Sequence, residues 1–194
     1  GTFLRLSRSH PQFLKKLFEL EAPELASGAI ELKAVAREAG SRSKVAVLSH
    51  DSHIDPVGSL VGQRGVRVST VMSELGGEKI DIIEWSEDPK AFVADALSPA
   101  KVLSVAIDDA SHQATVEVTE DQQSLAIGRG GQNVRLAAKL TGWKIDIRSL
   151  GGTGDATPAT ADTSSPEKSE VPETNVDASA GGTDAGGADG GGGE

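Results

Sequence analysis

Apolar positions along the chain change period repeatedly, and each change marks an element. From Pro11 onward, Leu14, Leu17 and Phe18 share one helical face, and Gly28 is the stop signal for that helix. Ile30, Leu32, Ala34 and Ala36 then alternate with the period of a half-buried strand, and Lys44–Leu48 reads as a second short strand. Asp55-Pro56 gives an N-cap and a first-turn proline to a brief helix reaching Val61. Beyond a glycine-bounded turn, Val68, Val71, Met72 and Leu75 recur at helical spacing; Gly76-Gly77 ends that helix, and Ile80–Trp85 gives a last strand.

The same order then returns. Asp88-Pro89 opens a helix carrying Phe92, Val93, Ala96 and Leu97, which halts before Pro99. Strands at about 101–107 and 114–118 flank the turn-like Asp108-Asp109-Ala110-Ser111. A short helix over Asp121–Ile127 leads to a second glycine turn, a helix with Leu136, Ala137 and Leu140, a stop at Gly142, and a strand over Trp143–Ile147. Lys79-Ile80-Asp81-Ile82 recurs as Lys144-Ile145-Asp146-Ile147 after 65 residues, and the turns Gly62-Gln63-Arg64-Gly65 and Gly128-Arg129-Gly130-Gly131 recur after 66. Two independent markers at nearly one offset indicate a repeat. The expected fold class is α/β (α+β): two small domains, each α-β-β-α-α-β, joined with almost no linker.

Composition changes this picture only at the end of the chain. Residues 151–194 hold nine acids against the single base Lys168 and contain 11 of the 23 glycines, with no Leu, Ile, Phe or Trp. Such a stretch buries too little apolar surface to offset its ordering entropy, so a disordered acidic tail is expected. It carries −8 of the net charge of −10, so the acidic pI describes the tail and leaves the rest nearly neutral. Absence of Cys removes disulfides, Cys-ligated zinc and thiol nucleophiles. No apolar run approaches the roughly 18 residues needed to span a bilayer, and no secretory leader is recognisable. A soluble, cytoplasmic protein is expected. Thr2-Phe3-Leu4-Arg5-Leu6 reads like a strand entered midway, as in a piece of something longer.

The turns carry the chemistry. Glycine at both ends removes Cβ, which permits left-handed dihedrals and a close backbone approach to phosphate. The following helix start offers free N–H groups and positive dipole character. Gln63, Arg64, Arg129 and Gly130 take the projecting middle positions, and an arginine there can grip phosphate in a bidentate manner. Arg67, Gln132, Asn133, Arg135 and Lys139 follow on the helix starts. With an apolar floor beside each turn, this is the KH mode of holding single-stranded RNA.

Several runs carry a more specific likeness: Leu6-Ser7-Arg8-Ser9-His10-Pro11-Gln12-Phe13-Leu14, Asp55-Pro56-Val57-Gly58, Gly77–Asp88, Leu97–Val102, Leu125-Ala126-Ile127-Gly128 with Gly131-Gln132-Asn133, and Leu140–Trp143. Over about residues 4–149 the chain resembles the tandem KH region of the bacterial NusA family of transcription termination and antitermination factors. The resemblance implies two type II KH domains packed as one unit, at 10–86 and 87–150, with residues 1–9 left from a preceding OB-type barrel or linker. It implies binding of nascent single-stranded RNA at Gly62–Gly65 and Gly128–Gly131. It also implies RNA polymerase as a partner in pausing, termination and antitermination, through N-terminal domains that precede the KH pair in that family. Gly130 departs from the charged or polar residue common at its position, so the second turn is expected to rely on backbone amides and the first on Arg64.

Other readings are weaker. His50, Asp51, His53 and Asp55 crowd one loop, but no first shell of identifiable geometry completes a metal site, and they read as turn residues. A dinucleotide loop requires a strand directly before its glycines, and Asp121–Ser124 reads as a helix start. No Lys-Ser or Lys-Thr follows either turn, so no P-loop exists. The acids Glu87-Asp88 and Asp108-Asp109 sit where acids cap amides, and no catalytic set or cofactor is expected. Trp85 and Trp143 could stack bases, although packing between domains is the favoured reading. A KH pair of a ribosome or RNA-processing complex is the alternative, and a nucleotide-binding enzyme the more distant one.

Overall fold

A computed structural model of the chain describes residues 1–150; the expected disordered tail at 151–194 lies outside the described residues. The first repeat comprises α1 (Pro11–Glu21), α2 (Pro23–Ala26), β1 (Ile30–Glu38), β2 (Arg42–Ser49), α3 (Pro56–Val61), α4 (Val66–Glu74) and β3 (Lys79–Glu84). The second comprises α5 (Pro89–Ala96), β4 (Val102–Asp108), β5 (Gln113–Thr119), α6 (Glu120–Ile127), α7 (Gln132–Thr141) and β6 (Lys144–Leu150). Two three-stranded sheets result, β1-β2-β3 and β4-β5-β6, each with one antiparallel and one parallel pair. The mixed α/β class and the doubled element order read from the sequence are both present.

Local chemistry explains the boundaries. Asp55 Oδ1 accepts from Gly58 N at 3.0 Å and Asp88 Oδ1 from Lys90 N at 3.1 Å, so each Asp-Pro pair opens its helix as expected. The first helix is shorter than its sequence pattern suggests. Pro23 pushes Ala22 to φ −117° and ψ 100°, so α1 ends at Glu21 and a separate turn, α2, continues to Ala26. Residues 1–7 form no strand; the alternating run 2–6 has no strand alongside among the described residues to pair its backbone.

The alternation in β1 hides a change of face. A bulge lies between Leu32 and Ala34. Ile30 and Leu32 therefore point into the first domain's own core with Leu14, Phe18, Val45, Val47, Leu60 and Val71. Past the bulge, Ala36 points the other way and joins Ala46 and Ile83 in a cluster with Phe92, Leu97, Leu136 and Leu140 of the second repeat. Helix α7 packs across β1 and β2, so the first sheet is covered on both faces. The second sheet is covered on one: Ala114, Val116 and Val118 are buried, while Ser104 and Ala106 are exposed.

The two repeat offsets, 66 at the turns and 65 at the last strands, have one cause. The first repeat has one residue more between its turn and its last strand, Gly76-Gly77-Glu78 standing against Gly142-Trp143, and Glu78 there is fully buried. Its carboxylate accepts from Arg37 Nε at 2.8 Å, Arg37 Nη2 at 3.0 Å, Gly40 N at 2.9 Å and Ser43 Oγ at 2.6 Å. Arg37 also donates to the His10 carbonyl at 3.0 Å. Burial raises this carboxyl, but Arg37, Ser43 and the Gly40 amide outweigh that effect and hold it below the usual range. By strand register, Arg37 corresponds to Ile107 in the second repeat, where no such carboxylate is needed.

Candidate nucleic-acid interface

The two turns are nearly superposable in dihedral space. Gly62 has φ 74° and ψ 170°, and Gly128 has φ 77° and ψ 171°. The third positions are left-handed in both, Arg64 at φ 54° and ψ 24° and Gly130 at φ 59° and ψ 27°. So are the fourth, Gly65 at φ 76° and Gly131 at φ 71°. Gly130 therefore fits the conformation of its position, whereas Arg64 adopts it against the preference of an L side chain. The first glycine of each turn is also sterically required. A Cβ on Gly62 would stand 2.7 Å from Arg67 Cγ, and one on Gly128 would stand 2.8 Å from the Asn133 amide nitrogen.

Those neighbours are the pins of the turns. Arg67 Nη1 donates to the Ser59 carbonyl at 2.6 Å and pairs with Glu24 at 3.0 Å. At the equivalent place, Asn133 Nδ2 reaches the carbonyls of Leu97 at 2.9 Å, Ala126 at 3.0 Å and Leu125 at 3.3 Å. Both side chains tie the helix after the turn to the helix before it. Asn133 is buried, so its place is inside the scaffold rather than on a binding face.

The candidate residues thus separate into groups. Gln63, Arg64, Arg129 and Gly130 are exposed at the tips, and neither arginine has an ion-pair partner among the described residues. Arg67 and Asn133 hold the turns. Gln132 and Arg135 lean on the first domain: Gln132 Nε2 donates to Glu38 Oε2 and Ser41 Oγ, each at 2.7 Å, and Arg135 Nε donates to Glu38 Oε1 at 2.6 Å. The hydrogen bond from Arg135, helped by Gln132 and against partial burial, lowers the Glu38 pKa, and Glu38 in turn raises that of Arg135. Lys139 is exposed one turn further along α7.

Each turn borders a groove. The first, about 820 Å³, runs past Ile54, Gly58, Gly62, Gln63, Val66 and Arg67; Val66 is 63% exposed. The second, about 690 Å³, has Gly128, Arg129 and Leu125 on one side and Ser41, Arg42 and Lys79 of the first repeat on the other. Sequence reasoning missed this second wall, since nothing local ties positions 41, 42 and 79 to a turn half a chain away. The amides of Gly65 and Gly131 turn back onto the carbonyls of Gly62 and Gly128, and those of Val66 and Gln132 onto Gln63 and Arg129. The positive end of the following helix, together with Arg64 or Arg129, therefore makes the anion-receptive rim beside an apolar strip.

The remaining polar clusters are accounted for locally. His50 pairs with Glu31 at 3.2 Å, His53 with Asp51 at 2.9 Å, and Asp55 caps α3. Asp108 accepts from Ala110 N at 3.0 Å and Ser111 Oγ at 2.7 Å within its turn. Trp85 packs on the interdomain cluster, tilted against Phe92 with ring centroids 6.5 Å apart, and Trp143 packs on the same cluster with His112 stacked over it at 4.0 Å. No helix among the described residues is long and apolar enough to cross a membrane.

Comparison with known proteins agrees with this geometry. Residues 8–85 match the model of the NusA-like first KH domain, and residues 89–154 that of the NusA-like second KH domain. The transcription termination/antitermination protein NusA of Bacillus subtilis is 58% identical over 149 residues, covering 77% of this chain and 40% of that protein. Its Mycobacterium tuberculosis counterpart is 57% identical over 156 residues, covering 80% of this chain and 44% of the relative. The chain thus spans about two fifths of the length of the curated relatives it matches. Among solved structures, the crystal structure of APE1850 aligns with a TM-score of 0.51 at 24% identity, covering 71% of this chain and 97% of that one, a likeness of fold.

Proposed function

The chain belongs to the NusA family by both of its KH domains, and from that premise we propose that it binds single-stranded RNA of a nascent transcript. The domains divide at about residue 86, and one strand runs across both grooves. The carrying observation is the pair of turns with matching left-handed dihedrals, each with an exposed arginine at its tip, unpaired among the described residues, beside an apolar groove. Phosphates meet the turn amides with Arg64 and Arg129, and bases lie against Ile54 and Val66 in one groove and Leu125 in the other. Aliphatic contact outweighs aromatic stacking here, since both tryptophans are committed to packing. The module acts without catalysis, in the cytoplasm. In a complete factor it would serve RNA polymerase in pausing, termination and antitermination, as its curated relatives are named for.

The test is fluorescence anisotropy with a short, unstructured labelled RNA. Replacing Gln63-Arg64 and Arg129-Gly130 by Asp-Asp sets negative charge against phosphate, and binding should be lost while circular dichroism stays unchanged. Retained affinity in the quadruple variant would remove the turns as the clamp. Gel-shift of a stalled polymerase elongation complex, with and without an emerging transcript, tests the polymerase part separately.

A further inference from the structure

The second turn has a freedom that the first lacks. Its third position is glycine, with open space where a Cβ would stand, so its own sequence leaves the backbone loose. A restraint arrives from elsewhere. Arg135 Nη1 donates to the Gly130 carbonyl at 3.0 Å, while Arg135 Nε is held by Glu38 Oε1 at 2.6 Å. Glu38 is the last residue of β1, in the first domain, and its other oxygen accepts from Gln132, the first residue of α7. One carboxylate therefore fixes two residues of the opening turn of α7, and one of these grips the glycine loop. At the first turn the residue in place of Arg135 is Ser69, whose side chain makes no hydrogen bond among the described residues and lies 4.0 Å from where a Cβ on Gly65 would stand. The brace belongs to the second turn alone.

We infer that Glu38 is a positioning residue for the second RNA-binding turn, acting from the first domain through Arg135 on the Gly130 carbonyl. Docking of the two domains is then what sets the second cleft for phosphate, and the tandem arrangement does more than add a second site. The effect on affinity rests on the RNA-binding reading above; the hold on the loop does not.

Glu38→Ala is measured in two backgrounds, one with turn one disabled (Gln63→Asp, Arg64→Asp) and one with turn two disabled (Arg129→Asp, Gly130→Asp). The probe is a fluorescein-labelled unstructured RNA. Binding through turn two should weaken at least about fivefold, the lower end of ordinary coupling between sites, and binding through turn one by less than about twofold. Glu38→Gln keeps an acceptor oxygen for Arg135 and should restore most of the loss. In RNA-free protein, Glu38→Ala should speed amide exchange at Gly130–Gln132 with the thermal midpoint nearly unchanged. Equal losses in both backgrounds, unchanged or tighter binding through turn two, or unaltered exchange would each overturn the inference. If neither disabled turn alters RNA binding, the RNA reading fails instead, and exchange still decides whether Glu38 holds the loop.

Discussion

Replacing Arg64 with glycine separates what this residue does for RNA from what it does to the fold. Arg64 stands at φ 54° and ψ 24°, a conformation that is unfavourable for an L residue by about 1–2 kcal/mol. Gly130 holds the same conformation in the second turn without that strain. The exposed Arg64 side chain forms no ion pair among the described residues, so its removal deletes no native ion pair there. Against the relief stands the larger unfolded-state entropy of glycine, roughly 0.5–1 kcal/mol. The relief equals or exceeds that cost, and Arg64→Gly should leave urea-unfolding stability unchanged or raise it by up to about 1.5 kcal/mol. RNA binding responds differently. A charge-assisted hydrogen bond contributes about 1.5–3 kcal/mol, and 1.4 kcal/mol is about tenfold in affinity, so affinity should fall by about tenfold or more. The slope of log K against log salt should shrink by about 0.7, the single-strand value for one phosphate contact. Anisotropy across a salt series and urea unfolding on the same preparation give both answers. Unchanged affinity with an unchanged slope would refute the phosphate contact, and a stability loss above about 1 kcal/mol would refute the strain argument.

Alanine should separate the glycines of the second turn: Gly128→Ala meets the Asn133 amide at 2.8 Å and should lower stability by about 2–3 kcal/mol, against about 1 kcal/mol for Gly130→Ala, read by urea unfolding. Glu78→Ala leaves Arg37, whose side chain is 2% exposed, charged and unpaired, and should cost about 3–5 kcal/mol with a matching fall in thermal midpoint. Acid should destabilise the protein through the same group. The folded carboxyl of Glu78 lies below its unfolded value near 4.3, so its contribution is complete above that pH and is lost as pH falls through the folded value. Unfolding free energy should therefore drop below about pH 4, and a Glu78→Gln variant should show a shallower drop over that window.

The helices, the turns and the doubled order were legible because their signals are local. Asp55-Pro56 and Asp88-Pro89 announce helix starts, the glycines announce the turns, and Lys-Ile-Asp-Ile marks both last strands. What escaped is set by tertiary contact. The alternation Ile30, Leu32, Ala34, Ala36 looks like one face, but a single bulged residue sends its two halves into different cores. Asn133 and Arg67 look like further RNA ligands because they are polar and near the turns. Asn133 is instead buried closing its helix-turn-helix, and Arg67 closes the other while also lining the first groove, which becomes visible only once the carbonyls of Ser59, Leu97 and Ala126 are in place.

Divergence between the repeats follows from what each must cover. On the first sheet, Ala46 is buried and pairs with Ala34, and these small side chains let α7 lie close against β1 and β2. Strand register places Glu117 at the position of Ala46, paired with Ser104 at the position of Ala34. Ser104 Oγ donates to Glu117 at 2.5 Å on a face left to solvent. A helix packing there would bury a carboxylate with only a hydroxyl to satisfy it, at a penalty larger than the gain from a few aliphatic contacts. The same logic acts on the helices. The positions of α7 that bury Leu136 and Leu140 against the first domain are Thr70 and Glu74 in α4, both exposed. One element order has thus been given one adhesive sheet face and one adhesive helix face, on opposite members of the pair. The brace from Glu38 to the second turn exists because these two faces meet.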